Sequence, residues 1–167
     1  MDNPAERSKQ VQTMFSRITR RYDLMNKVMS AGQDQAWRRA AAAELHLGPG
    51  ARVVDLATGT GDLAFAVRER HPDARVMAFD FSETILREGA RKGAARRDMM
   101  THWGVGDALR LPFPDATFDG CVNAFLLRNV VDLPGCLREL KRVVKPGARV
   151  VCLETSQIGR ASCRERV

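Results

Sequence analysis

Long hydrophobic runs are missing from this chain. The most apolar stretches are short, such as Val53-Val54, or interrupted, as Cys121 to Leu127 is by Asn123, and all fall far below the ~20 residues a membrane-spanning helix needs. The N-terminus, MDNPAERSKQ, has no apolar core of the secretory type, so a cytoplasmic location is expected. Four cysteines, Cys121, Cys136, Cys152 and Cys163, form no Cys-x-x-Cys pair and have no histidine at zinc-ligand spacing. That excludes a metal knuckle and a thioredoxin motif and predicts reduced thiols and no bound metal. Lysine is scarce, 5 against 22 arginines, and the arginines are scattered from Arg7 to Arg166 among acids with no aromatic platform between them. The net charge of +7 therefore does not predict a nucleic-acid partner. Internal repeats and low-complexity segments are absent. What remains, 167 residues with 44% hydrophobic and 28% charged side chains, is the composition of one folded domain with a single core.

Three segments follow from the patterning. From 1 to 47 the rhythm is helical: Val11, Met14, Phe15, Ile18, Tyr22 and Met25 recur at three- and four-residue steps, and a second helix is expected from Asp34 to Leu45. The first stripe reads as a face packed on its own domain, with docking on a membrane surface as the alternative because Arg17, Arg20 and Arg21 flank it. Leu47-Gly48-Pro49-Gly50 breaks the helix. From 48 to 156 strands and helices alternate: strands at 51–57, 74–80, 99–107, 117–125 and 148–154, helices from Gly61 to Arg70, Ser82 to Arg96 and Leu133 to Val144. Ser82 reads as an N-cap, and Lys145-Pro146-Gly147 as a helix stop and turn. Such alternation predicts an α/β three-layer sandwich, a parallel sheet covered by helices on both faces with right-handed crossovers. The last segment, QIGRASCRERV at 157–167, has no periodicity and can be encoded by a common sequencing adapter read in frame, so it is expected to be a non-native tail. Its three arginines and one glutamate account for the difference between a charge of +7 and one of +5.

Chemistry concentrates at the first β–α turn. VVDLATGTGDLA, residues 53–64, sets Gly59-Thr60-Gly61 and Ala64 where a strand gives way to a helix, which satisfies G-x-G-x-x-A. Asp80 ends the next strand about twenty residues later, where a carboxylate can take both hydroxyls of a ribose. An adenosine cofactor is expected. Asp55 and Asp62 flank the glycines, and each carboxylate would oppose a pyrophosphate by about 4 kcal/mol per close pair at an effective dielectric of 20. S-adenosyl-L-methionine, with an ammonium and a sulfonium against one carboxylate, suits an acidic loop better than a dinucleotide. An NAD-type oxidoreductase and a catalytically silent cofactor-binding module stay open as alternatives.

VVDLATGTGDLA, GDALRLPFPDATFD and LKRVVKPGARVVCLE resemble the class I S-adenosylmethionine-dependent methyltransferases. Two further stretches, FSRITRRYDLMNKVMSAGQDQAWRR (15–39) and AFLLRNVVD (124–132), are similar to one subfamily, the ubiquinone/menaquinone biosynthesis C-methyltransferases of UbiE/MenG type, over about residues 10–156. The resemblance implies a Rossmann-like fold with N-terminal helices and, against the family pattern, the last strands missing after Ser156. It implies methylation of a ring carbon of a polyprenylated quinol, with the benzo- or naphthoquinol identity and pairing as a homodimer undecided. For the cofactor it implies Asp55, Ala57, Gly59, Thr60, Gly61, Asp80, Phe81, Asp107, Ala108 and Ala124: Thr60 at the methionine end, Asp80 at the ribose, Asp107 and Ala108 beside adenine. Ala124 stands where relatives often carry serine, and Ala57 where the wider superfamily has glycine.

The chemistry of that reaction assigns the remaining residues. A quinol carbon becomes nucleophilic as a neighbouring hydroxyl loses its proton, so Arg128 and Asn129 are expected to hold the quinol oxygens. Tyr22, Asp23, Asn26 and Asp132 are the further polar residues expected near the substrate. His102 reads as a satisfied structural histidine and Phe113, Phe118 and Phe125 as core.

Overall fold

The apolar runs around Val53, Val76, Val122 and Val150 each become a strand, and all five strands run parallel in a computed structural model that describes residues 33–154. In chain order the elements are α1 (Asp34–Ala43), β1 (Arg52–Leu56), α2 (Asp62–Arg70), β2 (Arg75–Asp80), α3 (Glu83–Ala95), β3 (Thr101–Val105), β4 (Phe118–Ala124), α4 (Leu133–Val143) and β5 (Val144–Leu153). The sheet order is β3-β2-β1-β4-β5. Chain progression reverses between β1 and β4, and open parallel sheets bind ligands beyond the carboxyl ends of the strands at such a point.

Alternation along the strands splits the core in two. Val53, Val76, Ala78 and Val122 pack under Ala41, Ala42 and Leu45 of the first helical segment and Leu63, Ala64 and Val67 of α2. Val54, Leu56, Phe79 and Cys121 face the other way, against Cys136, Leu140 and Val143 of α4 and Leu111 and Phe118. The inner stripe of α1 is unusual. It begins with buried Asp34 and Arg38 and only then turns apolar at Ala41 and Ala42, so its N-terminal half brings charge to the carboxyl end of the sheet.

Most expected elements occur within a residue or two of their predicted spans. β5 differs: it begins at Val144, directly after α4, where Val144 pairs with Phe118 before the register jumps to Arg149 opposite Gly120. The Lys145-Pro146-Gly147 turn is therefore a bulge inside the strand, with Gly147 at φ +80. The 1–32 and 157–167 segments lie outside the described residues, and with them the apolar stripe, Tyr22, Asp23, Asn26, Cys163 and the tail.

Candidate functional site

After β1 the chain leaves the sheet through Ala57, which sits in the left-handed region at φ +53. Gly59 at φ +59 and Gly61 at φ +85 continue the turn. Two of its donors are tied to carboxylates: the Gly59 amide donates to Asp80 Oδ2 at 2.9 Å, and the Thr58 hydroxyl donates to Asp55 Oδ2 at 2.6 Å. Asp80 also accepts from the Ser82 amide on Oδ1 at 2.9 Å. Both its oxygens are thereby oriented at the mouth of the turn. Burial raises the Asp80 carboxyl above its ordinary range, and the Ser82 and Gly59 amides oppose that rise. Ser82 does hold the N-cap position of α3, but through this backbone bond and not through its hydroxyl.

Two residues outside the motif fix the turn. Lys92, on α3, donates to Thr60 Oγ1 at 2.8 Å and pairs with Asp62 at 3.4 Å. The Trp103 indole of β3 fills the space beside Gly61 and Gly89, so a Cβ on Gly61 would stand 2.5 Å from its Cη2 atom. Gly61 is thus required twice, by its positive φ and by this ring. Asp55 and Asp62 do flank the glycines as expected, but neither stands as a bare charge. Lys92 neutralises Asp62, and burial, opposed by the Thr58 hydroxyl and the Arg38 charge, lifts the Asp55 carboxyl to about 7.

A second turn follows β4 on the other side of the reversal point. Phe125, also left-handed at φ +61, leads into Leu126–Asn129. Asn129 Nδ2 donates to the Phe125 carbonyl at 2.7 Å, and Glu154 Oε1 accepts from the Leu127 amide at 2.8 Å. The Arg128 guanidinium lies 4.6 Å from the Phe125 ring centroid and that of Arg38 lies 6.0 Å away. Arg128 and Asn129 are exposed and meet at Phe125, so the three expected core phenylalanines separate. Phe113 and Phe118 stack edge to face at 5.0 Å in the core, whereas Phe125 belongs to this turn.

Asp107 and Ala108 stand on the loop after β3, Asp107 accepting from the Leu109 amide at 2.9 Å, while half-buried Phe81 follows Asp80 and half-buried Ala124 precedes Phe125. Asp132 is the N-cap of α4, its Oδ1 accepting from the Gly135 amide at 2.9 Å. His102 is exposed on edge strand β3 rather than satisfied in a core. Burial pushes the Cys121 thiol well up and the Cys136 thiol to about 11, so neither is a nucleophile near neutral pH. Arg38, Lys92 and Trp103 were not singled out from the sequence, because each reaches this site only through contacts with other elements of the fold, Lys92 with Thr60 and Asp62, Trp103 with Gly61, and Arg38 with Phe125.

Comparison with known proteins decides the family. The model of the ubiE/COQ5 methyltransferase family matches residues 3–165. This chain belongs to that family. It is similar to the demethylmenaquinone methyltransferase of Symbiobacterium thermophilum, 43% identical over 158 residues, 93% of this chain and 62% of the relative. It is also similar to the ubiquinone/menaquinone biosynthesis C-methyltransferase UbiE of Desulfotalea psychrophila, 48% identical over 147 residues, 87% of this chain and 58% of the relative. The chain thus spans about three fifths of the length of these curated relatives. Among solved structures, the geranyl diphosphate C-methyltransferase of Streptomyces coelicolor A3(2) superposes with a TM-score of 0.67 at 22% identity, over 72% of this chain and 44% of that one. That likeness shows the fold, a Rossmann-like α/β sandwich. Among the described residues no helix is long and apolar enough to cross a membrane.

Proposed function

We propose that the chain is the S-adenosyl-L-methionine-binding part of an enzyme that methylates a ring carbon of a polyprenylated quinol. The observation that carries the cofactor reading is the Asp80 carboxylate, anchored by the Gly59 and Ser82 amides at the carboxyl end of β2 beside the glycine turn. The residues present fit an S-adenosyl ligand. A Cβ on Gly59 would meet only Ile85, 4.0 Å away, so the turn is open for close approach, and Asp55 Oδ1 is buried without a hydrogen-bond partner. Asp80 would take the ribose hydroxyls, Asp107 and Ala108 the adenine, and the Ala57–Gly61 turn the methionine end. The bound cofactor supplies an electrophilic methyl group on a sulfonium.

The remaining chemistry falls to the second turn. Arg128, braced on the Phe125 ring, offers a fixed cation to an oxygen whose proton is leaving, and a phenolate so held pushes electron density onto the adjacent ring carbon. Asn129 spends its Nδ2 on the Phe125 carbonyl, so its part is to keep the turn in shape and to offer Oδ1 as an acceptor. Asp132, tied up as a helix cap, is a weaker substrate ligand than its position in the sequence implied. The prenyl tail keeps such a substrate at a bilayer, and the stripe of Val11, Met14, Phe15 and Ile18 with Arg17, Arg20 and Arg21 is our proposed docking element. Co-sedimentation with anionic but not neutral vesicles, lost at high salt, is the expected result.

Methyl transfer from labelled S-adenosylmethionine to a short-chain demethylmenaquinol, assayed on this chain and on one extended to the length of its relatives, tests the activity. Label on the ring carbon supports it. Tight cofactor binding with no transfer by either protein would leave a cofactor-binding module and reject the enzyme.

A further inference from the structure

Methylating a quinol ring carbon requires a group that takes the proton of the neighbouring hydroxyl, and Arg128 and Asn129 offer a cation and an amide but no base. The acids placed so far are engaged: Asp80 holds two amides beside the glycine turn, Asp55 holds Thr58, Asp107 accepts within its own loop, and Asp132 caps α4. Glu154 stands apart from them. It follows β5 directly, where the Leu153 carbonyl accepts from the Phe125 amide at 2.8 Å and Glu154 Oε1 accepts from the Leu127 amide at 2.8 Å. The second turn thus holds its carboxyl group one residue before Arg128. Oε2, however, is buried and has no hydrogen-bond partner, a costly state for a carboxyl oxygen unless a donor comes to it. Pinning the turn accounts for Oε1 and leaves Oε2 without a role.

We propose that Glu154 Oε2 is the general base that takes the hydroxyl proton of the bound quinol. This rests on the reading of the chain as part of a quinol methyltransferase and supplies its proton acceptor. The O–H bond breaks and its proton passes to Glu154. The electron pair left on oxygen moves into the ring, the ring carbon bonds to the methyl group, and the C–S pair stays with sulfur, which becomes a neutral thioether. The methylated carbon then loses its own hydrogen as a proton to water, and Glu154 returns the first proton to the ring oxygen. One proton is released in all, and the carboxylate is restored.

Glu154→Gln keeps an oxygen for the Leu127 amide and removes the base. In the transfer assay on the chain extended to the length of its relatives, kcat toward demethylmenaquinol should fall about 100-fold or more. The dissociation constant of S-adenosylhomocysteine should change less than about threefold. A quinol analogue with an electron-withdrawing ring substituent, its hydroxyl already ionised at the assay pH, needs no base, and there wild type and variant should differ by less than about threefold. Glu154→Asp should fall between the two proteins on demethylmenaquinol, and it carries the same comparison where the glutamine variant does not fold. Equal losses on both substrates would make Glu154 a support of the turn, and full activity in Glu154→Gln would place the base elsewhere; either result overturns the proposal. A wild-type protein that binds S-adenosylhomocysteine but methylates neither substrate would instead reject the methyltransferase reading itself.

Discussion

The two turns that flank the reversal point solve one backbone problem with opposite materials. Each strand ends on a left-handed residue that is not glycine, Ala57 after β1 and Phe125 after β4, and that residue lifts the chain off the sheet. The first turn then runs through two glycines, is half-buried at Ala57 and Gly59 and buried at Thr58, Thr60 and Gly61, and is pinned by Asp55, Asp80 and Lys92. It is built to bring main chain close to a ligand. The second has no glycine, is pinned at its edges by Asn129 and Glu154, and exposes Arg128. It is built to present side chains. Under the proposed function these become a binding turn and a reacting turn on neighbouring strands, which would let one fold keep its cofactor site while the substrate chemistry is set separately.

The contrast breaks most readily at Gly61. Gly61→Ala forces a side chain into a left-handed residue and against Trp103, so a loss of about 2–4 kcal/mol in urea denaturation is expected; a loss below 1 kcal/mol, within ordinary surface effects, would mean the indole yields. Next comes pH. With Asp55 raised to about 7, the folded state holds a proton that the unfolded state releases near 4, so stability should fall as pH rises from about 4 to 7 and level off above. The slope approaches but does not exceed ~1.4 kcal/mol per pH unit, and Asp55→Asn should remove it. An unchanged profile in that variant would place the titration elsewhere.

Smaller effects sharpen the second turn. Asp132→Ala should cost about 1 kcal/mol by loss of the α4 cap and leave methyl transfer intact; a selective loss of transfer would return Asp132 to the substrate. Ala57→Gly should lie between no change and a gain of about 1 kcal/mol, relief of the left-handed strain being offset by a freer unfolded chain. Destabilisation by that change would show that Ala57 is held by its methyl contacts.

Much of the fold was legible because the strands are short apolar β-branched runs and the turns carry Gly or Pro at the breaks. Asp80 was legible from spacing alone, because the length of one β–α–β step determines which residue ends β2. The left-handed Phe125 was not, since nothing local marks a phenylalanine for that conformation and its support comes from Asn129 and the Leu153 carbonyl. Lys92 escaped because its role depends on α3 crossing the glycine turn, 30 residues from Asp62. Arg38 escaped for a related reason: a charged residue within DQAWRRAAAA reads as solvated until the fold turns it inward. The charge argument from Asp55 and Asp62 rested on an incomplete count, for it omitted both the lysine that pairs with one and the burial that raises the other to about 7.

Calorimetric titration of S-adenosylhomocysteine into the wild-type chain and Asp80→Ala tests the central claim most directly. The account predicts saturable binding to the wild type, weakened by about 1.5–3 kcal/mol in the variant as charge-assisted bonds to the ribose are lost. An equal dissociation constant for the two folded proteins would contradict it.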